Sequence, residues 1–376
     1  MKTAIIHDWL VVYGGAERVL EQMLAVYPEA DLYSLIDFIP EKEREFIHNK
    51  EVVTSFLQKM PLVRSKYRNY LQLMPLAIEQ FDFRGYDLII SSSSAVAKGV
   101  LTGPDQLHVC MCYSPVRYAW DLQNQYLEET GLNKGLKGLY TRKVLHDLRQ
   151  WDFRSAYSVD HFIAISRYIA RRIKKVYRRE SVVIYPPVDV HSFTLNREKD
   201  SFYLAVSRLV PYKKMALLAE AFSKMPSKRL VIIGDGPDLK KVMAKAGPNV
   251  KILGYRPFAE VMQYMQKAKA LVFAALEDFG IVVLEAQACG TPVIAFGQGG
   301  ALETVNGQSS ECQTGIFFQE QSIESIIKAV EEFEEIGRTI KPENCRDNAL
   351  RFSAQRFRNE FKNYIDTIYA SFIDSK

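Results

Sequence analysis

Ala270-Leu-Val-Phe-Ala-Ala-Leu-Glu277-Asp-Phe-Gly280-Ile-Val-Val-Leu-Glu285 decides how this chain is read. The apolar run Ala270–Ala275 has the composition of a strand buried on both faces. A polar turn with Gly280 follows, and a helical pattern starts near Ile281. Glu277 then falls at the end of a strand and Glu285 about one turn into the next helix. A carboxylate near a helix N-terminus is favoured by the helix dipole alone. It is also a good acceptor for sugar hydroxyls. Backbone N–H groups of Gly280 and Ile281 can hold a phosphate or sugar oxygen there.

The same strand–turn–helix unit recurs on both sides. Phe202–Val206, Leu230–Ile233, Val250–Leu253 and Pro292–Ala295 read as strands with helices between them, among them Met215–Phe222. Upstream, Thr3–His7, Asp87–Ile90, Leu107–Met111, His161–Ile165 and Val182–Tyr185 read the same way. A helix from Ala16 carries Val19, Leu20, Met23 and Leu24 on one face, and Ser166 stands at the N-cap of a helix over Arg167–Tyr177. Alternation of this kind predicts an α/β chain with doubly wound parallel sheets. Tyr185-Pro-Pro-Val-Asp189 interrupts it. The expected division is a first domain over residues 1–190, a second over 191–352, and a terminal amphipathic helix over 353–376. In doubly wound sheets ligands bind beyond the carboxyl ends of the strands. Two such sheets facing each other predict an interdomain cleft.

Several loops carry suitable groups. In Ser207-Arg208-Leu-Val-Pro-Tyr-Lys213-Lys214, Arg208 and Lys213 either converge on one anion or form a solvated basic loop. Gly14-Gly15, in the first strand-to-helix loop, is either a phosphate contact or a tight turn. Gly234-Asp-Gly-Pro-Asp-Leu239 has Leu239 where a dinucleotide fingerprint has its third glycine, which argues against NAD. A tight turn opening a helix, with Pro237 at the first helical position, is the expected arrangement.

Taken together, Ser207–Lys214, Ile233-Gly-Asp-Gly-Pro237, Leu253-Gly-Tyr255, Glu277–Ala286 and Ala288-Cys-Gly-Thr-Pro-Val-Ile-Ala295 resemble glycosyltransferase family 4, of GT-B architecture. In the first half His7-Asp8-Trp9, Gly14-Gly15-Ala16-Glu17 and Ser114-Pro-Val-Arg-Tyr-Ala-Trp-Asp121 fit as well. They resemble the branch of GDP-mannose-dependent mannosyltransferases of surface polysaccharide assembly. The resemblance implies a retaining transfer from a sugar nucleotide, with no cofactor and no required metal. It implies Glu277 on the donor sugar, Glu285 on the nucleotide ribose, and Arg208 and Lys213 on the diphosphate. Lys214, where many relatives have glycine, is secondary; Gly254 and Arg256 fall where relatives bind the base. Gly14 and Gly15 would meet the diphosphate from the other domain. Many relatives have a histidine where this chain has Tyr113, a residue that carries no positive charge near neutral pH. Arg117, Trp120 and Asp121 either recognise the acceptor or form a core indole with a surface ion pair.

Composition narrows the remaining classes. The 376 residues are too many for one ordinary domain, and 49 basic against 44 acidic residues give a net charge of +5. The charge is uneven: residues 51–190 hold 20 basic and 13 acidic side chains. Arg167 to Arg179 has seven basic residues and no acidic one. Lys59, Arg64, Lys66 and Arg68 flank Phe56, Leu57, Met60, Leu62 and Val63, a mixture suited to an anionic membrane surface. No stacking module or helix-turn-helix pattern points to nucleic acid. The five cysteines form no CxxC pair and read as free thiols. The apolar N-terminal stretch is too short for a signal peptide. The expected location is cytoplasmic, with peripheral attachment at the inner membrane face. The expected partners are a sugar nucleotide and a glycan or lipid-linked glycan acceptor. A UDP-sugar donor is the nearest alternative; a non-catalytic membrane-associated scaffold is the alternative of another class.

Overall fold

The computed structural model describes residues 1–308 and 310–376. The chain forms two compact units, one of Met1–Pro187 with Phe357–Lys376, the other of Val188–Arg356.

The first unit is built on seven parallel strands. They are β1 (Thr3–His7), β2 (Asp31–Ser34), β3 (Val52–Thr54), β4 (Leu88–Ser93), β5 (Leu107–Cys112), β6 (His161–Ala164) and β7 (Ser181–Val183), in the spatial order β3-β2-β1-β4-β5-β6-β7. β1, β4 and β5 are buried at every position, as strands covered on both faces must be. The helix Gly15–Val26 buries Val19, Leu20, Met23 and Leu24. Burial contributes about 1.5–3 kcal/mol for each such side chain. Ser166 caps the helix Arg167–Tyr177 by accepting the Ile169 N–H at 3.1 Å. The terminal helix Ala354–Asp374 buries Phe357, Phe361, Ile365 and Ile368. Its Phe361 ring meets Tyr27 edge-on at 6.3 Å.

The second unit has six parallel strands. They are β8 (Phe202–Val206), β9 (Arg229–Ile233), β10 (Val250–Ile252), β11 (Ala270–Phe273), β12 (Val293–Phe296) and β13 (Gly315–Phe318), ordered β10-β9-β8-β11-β12-β13. In both sheets the order reverses beside the first strand of the unit. The reversal lies between β1 and β4 in one sheet and between β8 and β11 in the other. At such a point the loops leaving two neighbouring strands diverge and open a crevice. The loops after β8 and β11 are Ser207–Lys214 and the Glu277–Gly280 segment.

The expected strands form with ends shifted by one to three residues, the most at the end of β4, which reaches Ser93. β2, β3 and β13 are additions; the first two have only four and three residues, and β3 has no fully buried position. One expectation is corrected. Pro237 is not the first helical residue, because the helix runs Leu239–Lys245. Asp238 N–H is instead bonded to the Leu209 carbonyl at 3.0 Å, so residues 236–238 are held by a neighbouring loop. Four cysteines are buried, Cys312 is exposed, and all five are free thiols.

Candidate active site

The loop after β8 turns through a 3-10 segment, Pro211–Lys213, and enters the helix Met215–Ser223 at Lys214. Lys214 has φ 57°, the left-handed region where an L side chain is strained. Glycine at this position would be free of that strain. Arg208 is exposed, while Lys213 is mostly covered. The loop after β11 carries Glu277, whose carboxylate pairs with the Lys213 ammonium. This contact, across 64 residues of sequence, joins the two loops of the switch point. Gly280 caps the helix Ile281–Ala288 at φ 91°, and Glu285 is buried one turn into that helix.

Glycines elsewhere hold these loops in place. A Cβ on Gly234 would lie 1.8 Å from the Ser207 carbonyl oxygen, and one on Gly236 2.4 Å from that of Leu209. Gly234-Asp-Gly236 therefore packs against the loop bearing Arg208, and its backbone bonds back through Leu209 N–H to the Asp235 carbonyl at 2.9 Å. These glycines serve a close backbone approach. Gly254 contributes its carbonyl to Gly234 N–H at 2.9 Å, and Arg256 pairs with Glu260 at 3.3 Å. Two further glycines escaped the sequence reading. Gly300 N–H donates to the Glu277 carbonyl at 2.8 Å, and a Cβ on Gly300 would lie 2.4 Å from Phe279 Cα. Gly299 has φ 69°, and a Cβ there would lie 2.5 Å from the Glu277 carbonyl oxygen. The available signal was a Gly-Gly pair just past the strand pattern Pro292–Ala295.

In the first unit, Gly14 N–H is bonded to Glu17 Oε2 at 2.9 Å, and Glu17 Oε1 lies 3.4 Å from His7 Nε2. His7 Nδ1 meets Ser92 Oγ at 2.8 Å, Ser92 meets the Tyr113 hydroxyl at 2.7 Å, and Tyr113 donates to the Ala16 carbonyl at 3.1 Å. The Ala16 carbonyl only accepts, so the Tyr113 hydroxyl is the donor there and in turn accepts from Ser92. Burial raises the Tyr113 phenol well above its ordinary range. Tyr113 thus locks the helix entered through Gly14 and Gly15, and its own proton is committed to Ala16.

Asp8 lies beside His7 and is buried. Its carboxylate accepts from Ser94 N, Ala95 N, Val96 N and Ala97 N at 2.6–2.9 Å, and from the Ser94 hydroxyl at 2.9 Å. A side chain of the protein fills this nest of N–H groups after β4. Trp120 and Asp121, expected either to meet the acceptor or to be a core indole and a surface ion pair, are engaged within the fold. Trp120 Nε1–H donates to Asp152 at 2.7 Å, and Asp121 pairs with the buried Arg172 at 2.7 Å. Asp152 is itself the anion of a buried pair with Lys98 at 2.5 Å.

Two α/β units, the second with the loops of its switch point joined by Lys213 and Glu277, define a class of doubly wound α/β proteins. Comparisons narrow it. The profile described as Glycosyltransferase Family 4 matches residues 13–192, and the profile described as Glycosyl transferases group 1 matches residues 189–352. The chain belongs to this glycosyltransferase family and has its GT-B fold. An uncharacterized glycosyltransferase of Methanocaldococcus jannaschii is 30% identical over 206 residues, 52% of this chain and 56% of that one. The GDP-mannose-dependent monoacylated alpha-(1-6)-phosphatidylinositol monomannoside mannosyltransferase of Corynebacterium glutamicum is 33% identical over 178 residues, 39% of this chain and 47% of that one. The chain thus spans about half the length of these curated relatives. Among solved structures, Anabaena HepE in complex with UDP superposes with a TM-score of 0.69 at 20% identity, covering 98% of this chain and 100% of that one.

Proposed function

We propose that this protein transfers mannose from GDP-mannose, with retained anomeric configuration, to a hydroxyl of a glycan or lipid-linked glycan. The reading is carried by one observation: the Lys213–Glu277 pair joins the two loops of the β8/β11 switch point. In this reading the diphosphate takes over Lys213 and engages Arg208. Glu277 is thereby released to accept from the sugar hydroxyls, and Glu285 accepts from the ribose. Phe279, Gly280 and Ile281 offer backbone groups to the sugar and phosphate, and Gly254 and Arg256 lie toward the base.

The bond from the anomeric carbon to the β-phosphate oxygen breaks and its electron pair leaves with GDP. The acceptor oxygen bonds the same carbon on the same face, and its proton passes to the departing phosphate. Negative charge grows on the diphosphate along this path, so Arg208 and Lys213 act most strongly in the transition state. No side-chain base is required. The mannosyl donor is supported by the C. glutamicum relative and by a GDP-Man:Man(3)GlcNAc(2)-PP-Dol alpha-1,2-mannosyltransferase of Xenopus tropicalis, 28% identical over 207 residues.

A UDP-sugar donor is the second reading, favoured by the HepE complexes with UDP and UDP-glucose. Thermal-shift measurements with GDP, GDP-mannose, UDP and UDP-glucose separate the two. The proposal predicts stabilisation by the guanine nucleotides; stabilisation by the uridine nucleotides alone rejects it.

A further inference from the structure

The helix Gly135–Ser155 is apolar on two opposite sides at its start. Its inward side buries Gly138, Leu145, Leu148 and Asp152. At 100° per residue, Leu136, Leu139 and Tyr140 lie on the outward side. They are 86%, 66% and 60% exposed. An amphipathic helix of a globular protein puts polar residues there. The phenol of Tyr140 donates to Gln72 Oε1 at 2.8 Å, which ties this helix start to the segment around residues 56–76. That segment exposes Phe56, Leu76 and Leu62, the last 68% exposed and held at φ 55°.

Charge follows the same outline. Residues 52–78 contain no Asp or Glu, and Lys59, Arg64, Lys66 and Arg68 are all exposed. Residues 130–146 again contain no Asp or Glu, and Lys134, Lys137 and Arg142 are exposed, while the exposed Lys143 pairs with Asp147 at 2.5 Å. Lys137 and Arg142 flank the leucine face on its two sides. Among the described residues no helix is long and apolar enough to cross a membrane.

We propose that this surface docks the protein on an anionic lipid bilayer, with Leu136, Leu139 and Leu62 inserted among the acyl chains and the surrounding lysines and arginines on lipid phosphates. Protruding apolar residues among cations in net excess suit a sheet of phosphates over oil. The docking itself rests on exposure and charge and is independent of the donor; only its use, access to a lipid-linked acceptor, rests on the proposed function.

The full chain is sedimented with vesicles of mixed phosphatidylcholine and phosphatidylglycerol and with vesicles of phosphatidylcholine alone. Binding to the mixed vesicles, weakened by salt, is expected. Leu136→Asp with Leu139→Asp lowers the partition coefficient by about 100-fold, from the transfer free energy of two leucines. Lys137→Ala with Arg142→Ala lowers it by about tenfold or more. Leu139→Trp gives a blue-shifted emission on the mixed vesicles. Melting temperatures of all variants stay with the parent, since these side chains are exposed. No binding to anionic vesicles, binding unchanged by the leucine substitutions, or no emission shift overturns the proposal. So does self-association without lipid that the leucine substitutions abolish, which would assign the face to a second copy. Stabilisation of the same variants by GDP reads the donor site alone, so failure of one reading is distinguishable from failure of the other.

Discussion

Asp152→Asn isolates the energetics of the buried polar cluster beneath Trp120. Asp152 is fully buried and accepts from Lys98 Nζ at 2.5 Å, Trp120 Nε1 at 2.7 Å and the Tyr177 hydroxyl at 3.0 Å. Lys98 is 1% exposed. Its other contacts are the Ser155 hydroxyl at 3.1 Å and the rings of Trp151 and Tyr177 at 5.2 and 5.3 Å. Asparagine keeps the shape but removes the charge and leaves one acceptor oxygen for three donors. An ammonium without a counter-ion then remains in the core, which costs about 3–5 kcal/mol. For a unit of about 200 residues that is a fall of ~10 °C in melting temperature. Calorimetry of the first unit's transition measures it. Adding Lys98→Met removes the stranded cation and recovers about half the loss. A single variant melting within about 2 °C of the parent, or a double variant worse than the single, refutes the reasoning.

Three other perturbations have defined outcomes. Arg208→Ala, at an exposed position, leaves the fold intact and lowers kcat by ~10²–10³, as loss of a charge-stabilising donor does; unchanged turnover removes Arg208 from the diphosphate. Gly300→Ala drives a methyl into the Phe279 backbone, so stability drops by about 1–3 kcal/mol and nucleotide affinity falls with it; intact affinity in a titration would separate Gly300 from the site. Burial lowers the His108 pKa to about 4, with Nδ1 facing the Ser158 carbonyl and Nε2 facing Ser91. The unfolded chain then binds the extra proton first. Stability is complete above pH ~6.5 and falls by about 3 kcal/mol as pH drops to about 4. His108→Gln flattens that part of a denaturation profile, and an equally steep profile would contradict the assignment.

What was legible in the sequence has a common physical cause. Strands covered on both faces are continuous apolar runs, and β8, β9 and β11 announce themselves in that way. The Glu277–Glu285 segment sits on one strand–turn–helix unit, so its geometry is local. β2 and β3 are too short to make a pattern. The remaining features depend on groups that only the folded chain brings together. His7 and Ser92 are 85 residues apart, and Lys98 and Asp152 are 54 apart. Nothing local to Trp120 or Tyr113 reveals that their polar atoms are already occupied. A trace of one pair was visible, because Lys98 is a lone charge in the small, apolar stretch Ser94–Leu101. The Gly234-Asp-Gly236 turn has Leu239 where a dinucleotide fingerprint has its third glycine. The carbonyl oxygens it packs against explain why the two glycines are there.

The central claim is retaining mannosyl transfer through the β8/β11 loops. Its most direct test is the product formed from GDP-mannose and a lipid-linked glycan acceptor, with the anomeric configuration read from the one-bond carbon–hydrogen coupling by NMR. The account predicts an α-mannoside, lost in Glu277→Ala and retained in the vesicle-binding variants when a soluble acceptor is supplied. A β-mannoside, or transfer undiminished by Glu277→Ala, would contradict it.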